Sequence, residues 1–131
     1  MNFINAEVLK EGEDVFVKFE NCKFKLPTEK AQNEDLQNYI GKEVILGIRP
    51  ECIHDEPMYL SSLEDWTTEV AVDVTELMGA ETYLYLTIAG TNFTARVNPR
   101  TTAKPGDKIK IAFDVSKIHI FDKETEKTII N

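Results

Sequence analysis

Apolar and polar residues alternate along most of this chain with a period of two residues. This period places β-branched and aromatic side chains on one face of an extended segment, as a half-buried β-strand requires. A helical period of 3.6 residues is not the dominant pattern. We therefore predict an all-β chain whose strands carry these inward-facing sets: Val15, Val17 and Phe19; Val70, Val72 and Val74; Leu84, Leu86 and Ile88; Phe93, Ala95 and Val97; Ile109, Ile111 and Phe113.

Turn-forming residues separate these strands at short intervals. Examples are Glu20-Asn21, Met78-Gly79-Ala80 and the segment Lys104-Pro105-Gly106-Asp107. Glycine, proline, asparagine and aspartate each favour the backbone conformations that reverse a chain. Many short strands joined in this way are typical of a small, closed or nearly closed barrel of antiparallel strands.

One short helix is predicted at residues 34–40. Asn33 is a suitable N-cap residue because its side-chain oxygen can accept a hydrogen bond from the first helical turn. Glu34 and Asp35 suit that turn, and Gly41 can end the helix.

The chain length of 131 residues suits one domain or two small, closely packed lobes. Residues 55–65 interrupt the alternation, since they contain Pro57 and two consecutive serines without a sustained period. We interpret this segment as an irregular loop within a single domain, 1–131. It would join two strand groups, residues 1–54 and 66–131.

The charge balance is acidic, with 15 basic and 23 acidic residues and a net charge of −8. Nucleic acids and anionic lipids attract basic surfaces, so this balance opposes both as partners. The sequence has no apolar run long enough for a membrane span and no cleavable signal, which makes a cytosolic chain the expectation. Cys22 and Cys52 form no metal-binding spacing and are expected to be reduced thiols.

No set of residues in the sequence indicates catalysis. The phosphate-binding loop and other nucleotide-binding motifs are absent. His54, Asp55 and Glu56 are adjacent, but neighbouring residues in one loop rarely converge on one ion, so we interpret them as a solvated loop. We therefore predict no catalytic, cofactor-binding or metal-binding residues.

The segment from Leu46 to Glu51 is the most distinctive stretch. An apolar strand runs into Gly47, and Pro50 should end its pairing and hold Arg49 in an extended conformation. Arg49 and Glu51 then lie at the edge of the domain. Arg49 either pairs with a nearby carboxylate to anchor the strand end or contacts another domain or a second copy. Arg96 and Arg100 are weaker candidates for the same role.

Trp66 follows the interrupted segment. A tryptophan there belongs either to the core or to an interface, where it supplies concentrated binding energy. His119 lies between two isoleucines in an apolar strand and is interpreted as a surface or interface histidine.

Several segments, in order, resemble one known family. The residues 46–51 are similar to a segment in the C-terminal accessory domain, of TOBE/OB type, of ATP-binding subunits from maltose and multiple-sugar ABC transporters. The other similar segments are residues 1–4, 76–85, 105–111 and 118–125. This resemblance implies an OB-type barrel.

The resemblance also implies a function without bond chemistry. The chain would be a regulatory and dimerisation domain, and ATP and Mg²⁺ would bind only in a nucleotide-binding domain that this chain does not contain. The implied partners are that domain, a second copy, the membrane subunits indirectly and a cytosolic regulatory protein, but no nucleic acid. The implied location is cytoplasmic, peripheral on the inner face of the membrane. The candidate interface residues are Arg49, Glu51, Trp66, Ile118, His119 and Phe121.

Two alternatives remain open. The first is a domain that senses a small ligand, an oxyanion or a sugar, although Arg49, Arg96 and Arg100 form no visible cluster. The second is an OB-type barrel that stacks nucleic-acid bases on Tyr83 and Tyr85. The acidic balance opposes this second alternative.

Overall fold

A computed structural model describes residues 1–19, 22–88 and 90–130, so the predicted turn at Glu20-Asn21 lies outside the described residues. Strands dominate the described chain, and the prediction of an all-β fold is confirmed. The strands are β1 Asn2–Glu11, β2 Asp14–Phe19, β3 Cys22–Lys25, β4 Glu43–Ile48, β5 Ile53–His54, β6 Thr67–Met78, β7 Glu81–Ile88, β8 Thr91–Val97, β9 Lys108–Phe113, β10 His119–Asp122 and β11 Thr128–Ile130.

Short helices connect some of these strands. The α-helices are α1 Thr28–Ala31, α2 Glu34–Gln37 and α3 Pro57–Ser62, and 3₁₀ helices occupy Pro50–Cys52, Glu64–Trp66 and Val115–Lys117. The prediction of one short helix is therefore corrected. The predicted helix exists as α2, but it ends three residues early, with Asn38 as its C-cap.

The segment 55–65 is also corrected, because α3 and most of a 3₁₀ helix replace the predicted irregular loop. Pro57 occupies the first turn of α3, where its missing N–H costs no hydrogen bond. The segment was misjudged because a six-residue helix is too short to establish a helical period.

The chain forms two compact units. The terminal unit comprises Met1, residues 3–48 and the chain from residue 115 onward, and the central unit comprises Asn2 and residues 49–114. The units therefore differ from the successive strand groups 1–54 and 66–131, because the last two strands return to the sheet that the first four form. The single domain 1–131 stays a prediction.

The terminal unit contains one six-stranded sheet in the order β11-β10-β4-β1-β2-β3. Strand β10 pairs antiparallel with β4, with His119 opposite Gly47 and Phe121 opposite Ile45. One side of this sheet supplies a core that includes these fully buried side chains: Val8, Val15, Val17, Leu36, Val44 and Ile120.

The central unit contains one five-stranded sheet in the order β5-β9-β6-β7-β8. All of its pairings are antiparallel. Alternate residues of β7 and β8 face a core, as the sequence predicted. The core includes Leu84, Leu86, Phe93, Ala95 and Ile111.

One predicted core residue of this sheet is wrong. Val74 is 49% exposed, whereas Val70 and Val72 are buried. The pairing of β6 with β7 shifts by one residue between Val72 and Val74, which is a β-bulge. A bulge adds one residue to one strand, so the side chains beyond it change face.

Two further observations concern the whole described chain. Cys22 and Cys52 are both buried, and no disulfide joins them in the described chain. None of the helices in the described ranges combines the length and the apolar character that crossing a bilayer demands.

Candidate interaction surfaces

An apolar patch covers part of the outer face of the terminal sheet. It consists of Met1, Phe3, Ile45, His119 and Phe121, and we call it the Phe3 patch. Phe3 is 63% exposed and Met1 is 47% exposed, while the other three side chains are partly buried. The patch therefore keeps large apolar groups in water, which is costly unless a partner covers them.

Aromatic contacts hold the patch together. The ring centroids of Phe3 and Phe121 lie 6.0 Å apart at an interplanar angle of 61°, and those of His119 and Phe121 lie 6.3 Å apart at 29°. Both are favourable aromatic arrangements. The patch is thus an ordered surface formed by the first strand and a late strand of the chain.

Gly47 makes this packing possible. A Cβ atom at this position would lie 2.8 Å from the Met1 sulfur and 2.8 Å from Cε2 of Phe121. Because glycine has no Cβ, both side chains can lie directly on the sheet above it. The glycine of the distinctive segment 46–51 therefore supports the patch, a role that the sequence did not reveal.

The structure places two of the predicted late-strand residues in the patch and excludes the third. His119 and Phe121 lie on the outer face, whereas Ile118 is only 1% exposed. Ile118 is therefore corrected from an interface residue to a core residue. It precedes β10 and is buried, as is Ile120 within that strand.

Arg49 and Glu51 are both exposed, at the end of β4. Strand β4 ends at Ile48 as predicted, and Arg49 has the extended conformation that Pro50 imposes, with φ −75° and ψ 147°. Glu51 then lies in a 3₁₀ helix and not on a strand. Among the described residues, no carboxylate lies within ion-pairing distance of Arg49, so the predicted anchoring pair is not formed there.

Glu51 pairs instead with Arg96. Nη2 of Arg96 lies 3.6 Å from Glu51, and its Nε lies 2.8 Å from Glu81. Partial desolvation by itself lowers the pKa of Arg96. The negative charge of Glu81, a hydrogen bond with Tyr83 and the negative charge of Glu51 outweigh this effect and raise the pKa above its usual value. Arg96 is therefore a permanently charged link between two carboxylates of the central unit.

Trp66 is partly buried at the end of a 3₁₀ helix, where its backbone N–H donates to the Leu63 carbonyl at 2.8 Å. This position fits both the core and the interface interpretation. Its interface role stays a prediction.

His54 and Asp55, two of the three adjacent residues from His54 to Glu56, make separate contacts. His54 stacks on Tyr59 with ring centroids 3.8 Å apart, and Asp55 accepts a hydrogen bond from the Thr101 hydroxyl at 2.5 Å. Within the described ranges, no three acidic, histidine or cysteine side chains are arranged to hold a metal ion.

An open cleft of about 530 Å³ lies beside this segment in the central unit. Its charged lining residues are the carboxylates Asp55 and Glu56 and the cations Arg100 and Lys110. An oxyanion would therefore meet as many negative as positive side chains, so the cleft does not select for an anion.

Tyr39 and Asp122 form a hydrogen-bonded pair in the terminal unit that the sequence did not predict. The Tyr39 hydroxyl donates to Oδ2 of Asp122 at 2.5 Å, and the backbone N–H groups of Glu124 and Thr125 donate to Oδ1 at 2.8 Å. The Tyr39 hydrogen bond, followed by the Thr125 N–H, lowers the pKa of Asp122 to about 2. The partners are 83 positions apart in the sequence, so no local pattern signals this pair.

Comparisons with known proteins agree with the fold. The profile of the TOBE domain matches residues 46–121, and that of the MalK OB fold domain matches residues 1–53. Among solved structures, the cytoplasmic molybdate-binding protein ModG superimposes with a TM-score of 0.67 at 16% identity, covering 91% of this chain and 94% of ModG. That likeness concerns the fold alone, and with the OB fold match it confirms the predicted OB-type architecture.

Curated relatives share more of the sequence. The oligosaccharides import ATP-binding protein MsmX of Bacillus subtilis is 37% identical over 98% of this chain and 34% of its own length. The trehalose/maltose import ATP-binding protein MalK of Thermococcus litoralis is 32% identical over 98% of this chain and 34% of its own length.

The multiple sugar-binding transport ATP-binding protein MsmK of Streptococcus mutans is 42% identical over 71% of this chain and 25% of its own length. The chain thus spans about a third or less of these relatives. The profile that matches more than half of the chain is decisive for the family: this chain belongs to the TOBE domain family and begins with a MalK-type OB fold segment.

Proposed function

We propose that this chain is the non-catalytic regulatory and dimerisation domain of the ATP-binding subunit of a sugar-importing ABC transporter. Its relatives are sugar import ATP-binding proteins of which it spans about a third. ATP and Mg²⁺ would bind in the nucleotide-binding domain of the same subunit. The subunit would work in the cytoplasm, on the inner face of the membrane.

The Phe3 patch carries the dimerisation part of the proposal. Four of its five side chains are apolar, so two copies of it can face each other with little charge in the contact. A two-fold symmetric dimer uses the same patch on both copies, and a largely apolar patch suits that requirement. Phe3 and Phe121 would supply most of the binding energy, as aromatic residues do at interface centres.

The remaining partners follow from the same proposal. The domain would contact its own nucleotide-binding domain, for which the exposed Arg49 and Glu51 and the partly buried Trp66 are candidates. Membrane subunits would be reached indirectly, and a cytosolic regulatory protein would bind the domain without involving a reactive group.

Sedimentation velocity over a range of protein concentrations tests the dimer. Phe3→Ala and Phe121→Ala should each raise the dimer dissociation constant roughly tenfold, a size typical of a truncated interface aromatic. Phe16→Ala is the matched control, because Phe16 is also a partly buried phenylalanine of this sheet, with Nζ of Lys23 4.6 Å from its ring.

A chain that stays monomeric at all concentrations would contradict the dimerisation proposal. So would an equal weakening by the Phe16 control. Turnover of ATP by the purified chain would contradict its non-catalytic role.

A further inference from the structure

The β-bulge in β6 changes what the central sheet presents to solvent. Before the bulge, Val70 and Val72 of β6 face the core. After the bulge, Val74 pairs with Tyr85 of β7. The neighbours of Tyr85 in that strand, Leu84 and Leu86, face the core. Since alternate residues of β7 face opposite sides, Val74 and Tyr85 share the outer face. One inserted residue therefore moves a valine from the core side to the surface.

The outer face beyond the bulge carries apolar and aromatic side chains on both strands. Val74 and Met78 of β6 are 49% and 51% exposed, and Tyr83 and Tyr85 of β7 are partly buried beside them. Val74 lies directly opposite Tyr85, whereas Glu76 lies opposite Tyr83 and Glu81 opposite Met78, so the four side chains share this face with two carboxylates. We call these four residues the hairpin face.

The opposite side of the same hairpin carries one exposed apolar side chain, Leu77. Leu77 pairs with Thr82 and is 69% exposed, so it is more accessible than any member of the hairpin face. Thr82, however, is buried, and Leu77 therefore protrudes as a single apolar side chain. Single exposed leucines are common on protein surfaces, whereas several large apolar side chains exposed on one sheet face are less so.

The charges around the hairpin face are mainly negative. Exposed Glu76 projects between Val74 and Met78 on the same strand face, and Glu81 lies opposite Met78. Arg96, opposite Tyr83, is already held by Glu81 and Glu51. A partner therefore meets apolar side chains with one carboxylate among them and an acidic rim beside them.

This charge pattern decides the kind of partner. A second copy would bring its own Glu76 and Glu81 against the same acids, and like charges across an interface are unfavourable. Lysine or arginine beside apolar side chains would instead complement the rim. The net charge of −8 also favours approach by a basic partner over a long range.

We propose that the hairpin face docks a partner protein through a segment that presents apolar side chains flanked by lysine or arginine. This surface lies within the central unit and is distinct from the Phe3 patch. It goes beyond the proposed dimerisation function and does not depend on it.

The test uses two synthetic peptides of equal length in which leucine alternates either with lysine or with glutamate. Amide chemical shifts of the isotope-labelled chain are followed by NMR while each peptide is added at low salt. The lysine peptide should bind saturably and shift the amides of Val74, Met78, Tyr83 and Tyr85. Its affinity should fall with added salt, because screening weakens the charge contribution.

Matched variants locate the binding. Met78→Gln should weaken the lysine peptide roughly fivefold or more, as loss of an interface anchor does. Leu77→Gln, the same substitution on the other side of the hairpin, should leave the affinity unchanged. Glu76→Lys should weaken the lysine peptide and strengthen the glutamate peptide.

Three results would overturn the proposal. The first is equal binding of both peptides by the unsubstituted chain, and the second is shifts confined to residues outside the hairpin face. The third is a dimer dissociation constant that rises with Met78→Gln but not with Leu77→Gln, because a second copy would then be the occupant. Failure of the Phe3 patch to dimerise would leave the two peptide-binding readouts unaffected.

Discussion

Tyr39 forms a hydrogen bond with Asp122, and this bond affects how the stability of the protein depends on pH. Asp122 accepts the Tyr39 hydroxyl and two backbone N–H groups, which all favour its ionised form. The same hydrogen bond raises the pKa of Tyr39. This hydrogen bond connects Tyr39, which follows the C-cap of α2, to Asp122 at the end of β10.

The first prediction concerns Tyr39→Phe. Loss of the hydroxyl should raise the pKa of Asp122 from about 2 toward its usual 3.8, though not fully, because the backbone donors remain. Since the folded-state pKa is lowered, the stabilisation is complete above pH 3.8 and is lost as the pH falls toward 2. In the variant, this stabilisation should be smaller and its loss should end at a higher pH, because the unfolded-state pKa sets where the loss begins.

NMR titration of the Asp122 carboxyl carbon measures this shift directly. Tyr83→Phe, in the central unit, is the control and should leave the Asp122 titration unchanged. A midpoint near 3.8 in the unsubstituted chain would show that the hydrogen bonds do not act as described.

At the scale of elements, α2 is a four-residue helix that depends on its cap. Oδ1 of Asn33 accepts a hydrogen bond from the Leu36 N–H at 3.1 Å, and Leu36 is fully buried. A helix this short has little intrinsic stability, so its cap and its one core side chain hold it in place.

The second prediction is that Asn33→Ala lowers the free energy of unfolding by about 1 kcal/mol, the usual cost of losing an N-cap. Asn33→Asp should retain most of the stability, because aspartate also caps helices well. Urea unfolding provides the measurement. Asn38→Ala, at the exposed C-cap of α2, is the control, and an equal loss there would argue against a specific role for the Asn33 cap.

The β-bulge is the other decisive feature at this scale. It leaves the strand pattern of β6 intact but changes the face of every residue that follows. The surface proposed to dock a basic partner exists because of this single shift.

At the scale of the whole molecule, the terminal unit is completed by the end of the chain. Strand β10 pairs with β4, and Ile118 and Ile120 are 1% and 0% exposed. The central unit is nearly continuous in sequence, since residues 49–114 form all of its strands. The two units therefore differ in how they depend on the C-terminal segment.

The third prediction is that truncation after Asp114 unfolds the terminal unit and spares the central one. The truncation removes β10, β11 and buried isoleucines from the terminal unit, and a loss of several large core side chains costs more than a small domain's stability. Hydrogen exchange should then show unprotected amides in β1, β2 and β4.

Trp66, the single tryptophan, lies in the central unit and reports its state by fluorescence. Its emission should remain that of the intact chain after truncation. A red-shifted emission would mean that the central unit also requires the C-terminal segment, and retained protection in β4 would show that the terminal unit does not.

The local sequence pattern was sufficient to predict many of the structural elements of this protein. The alternation that predicted five strands matches the observed β2, β6, β7, β8 and β9, and the Asn33 cap was recognised from residue type and spacing. The end of β4 followed from Pro50 alone. These features are governed by backbone preferences and by neighbours within a few residues, so they are visible in the sequence.

The tertiary structure decided which of these elements meet and which residues they expose. It buried Ile118, turned Val74 outward, joined Phe3 to Phe121 and paired Glu51 with Arg96 in place of Arg49. Each outcome depends on strand register or on partners far apart in the chain. The energy of such contacts exists only once the strands have paired, and no local sequence pattern encodes that choice.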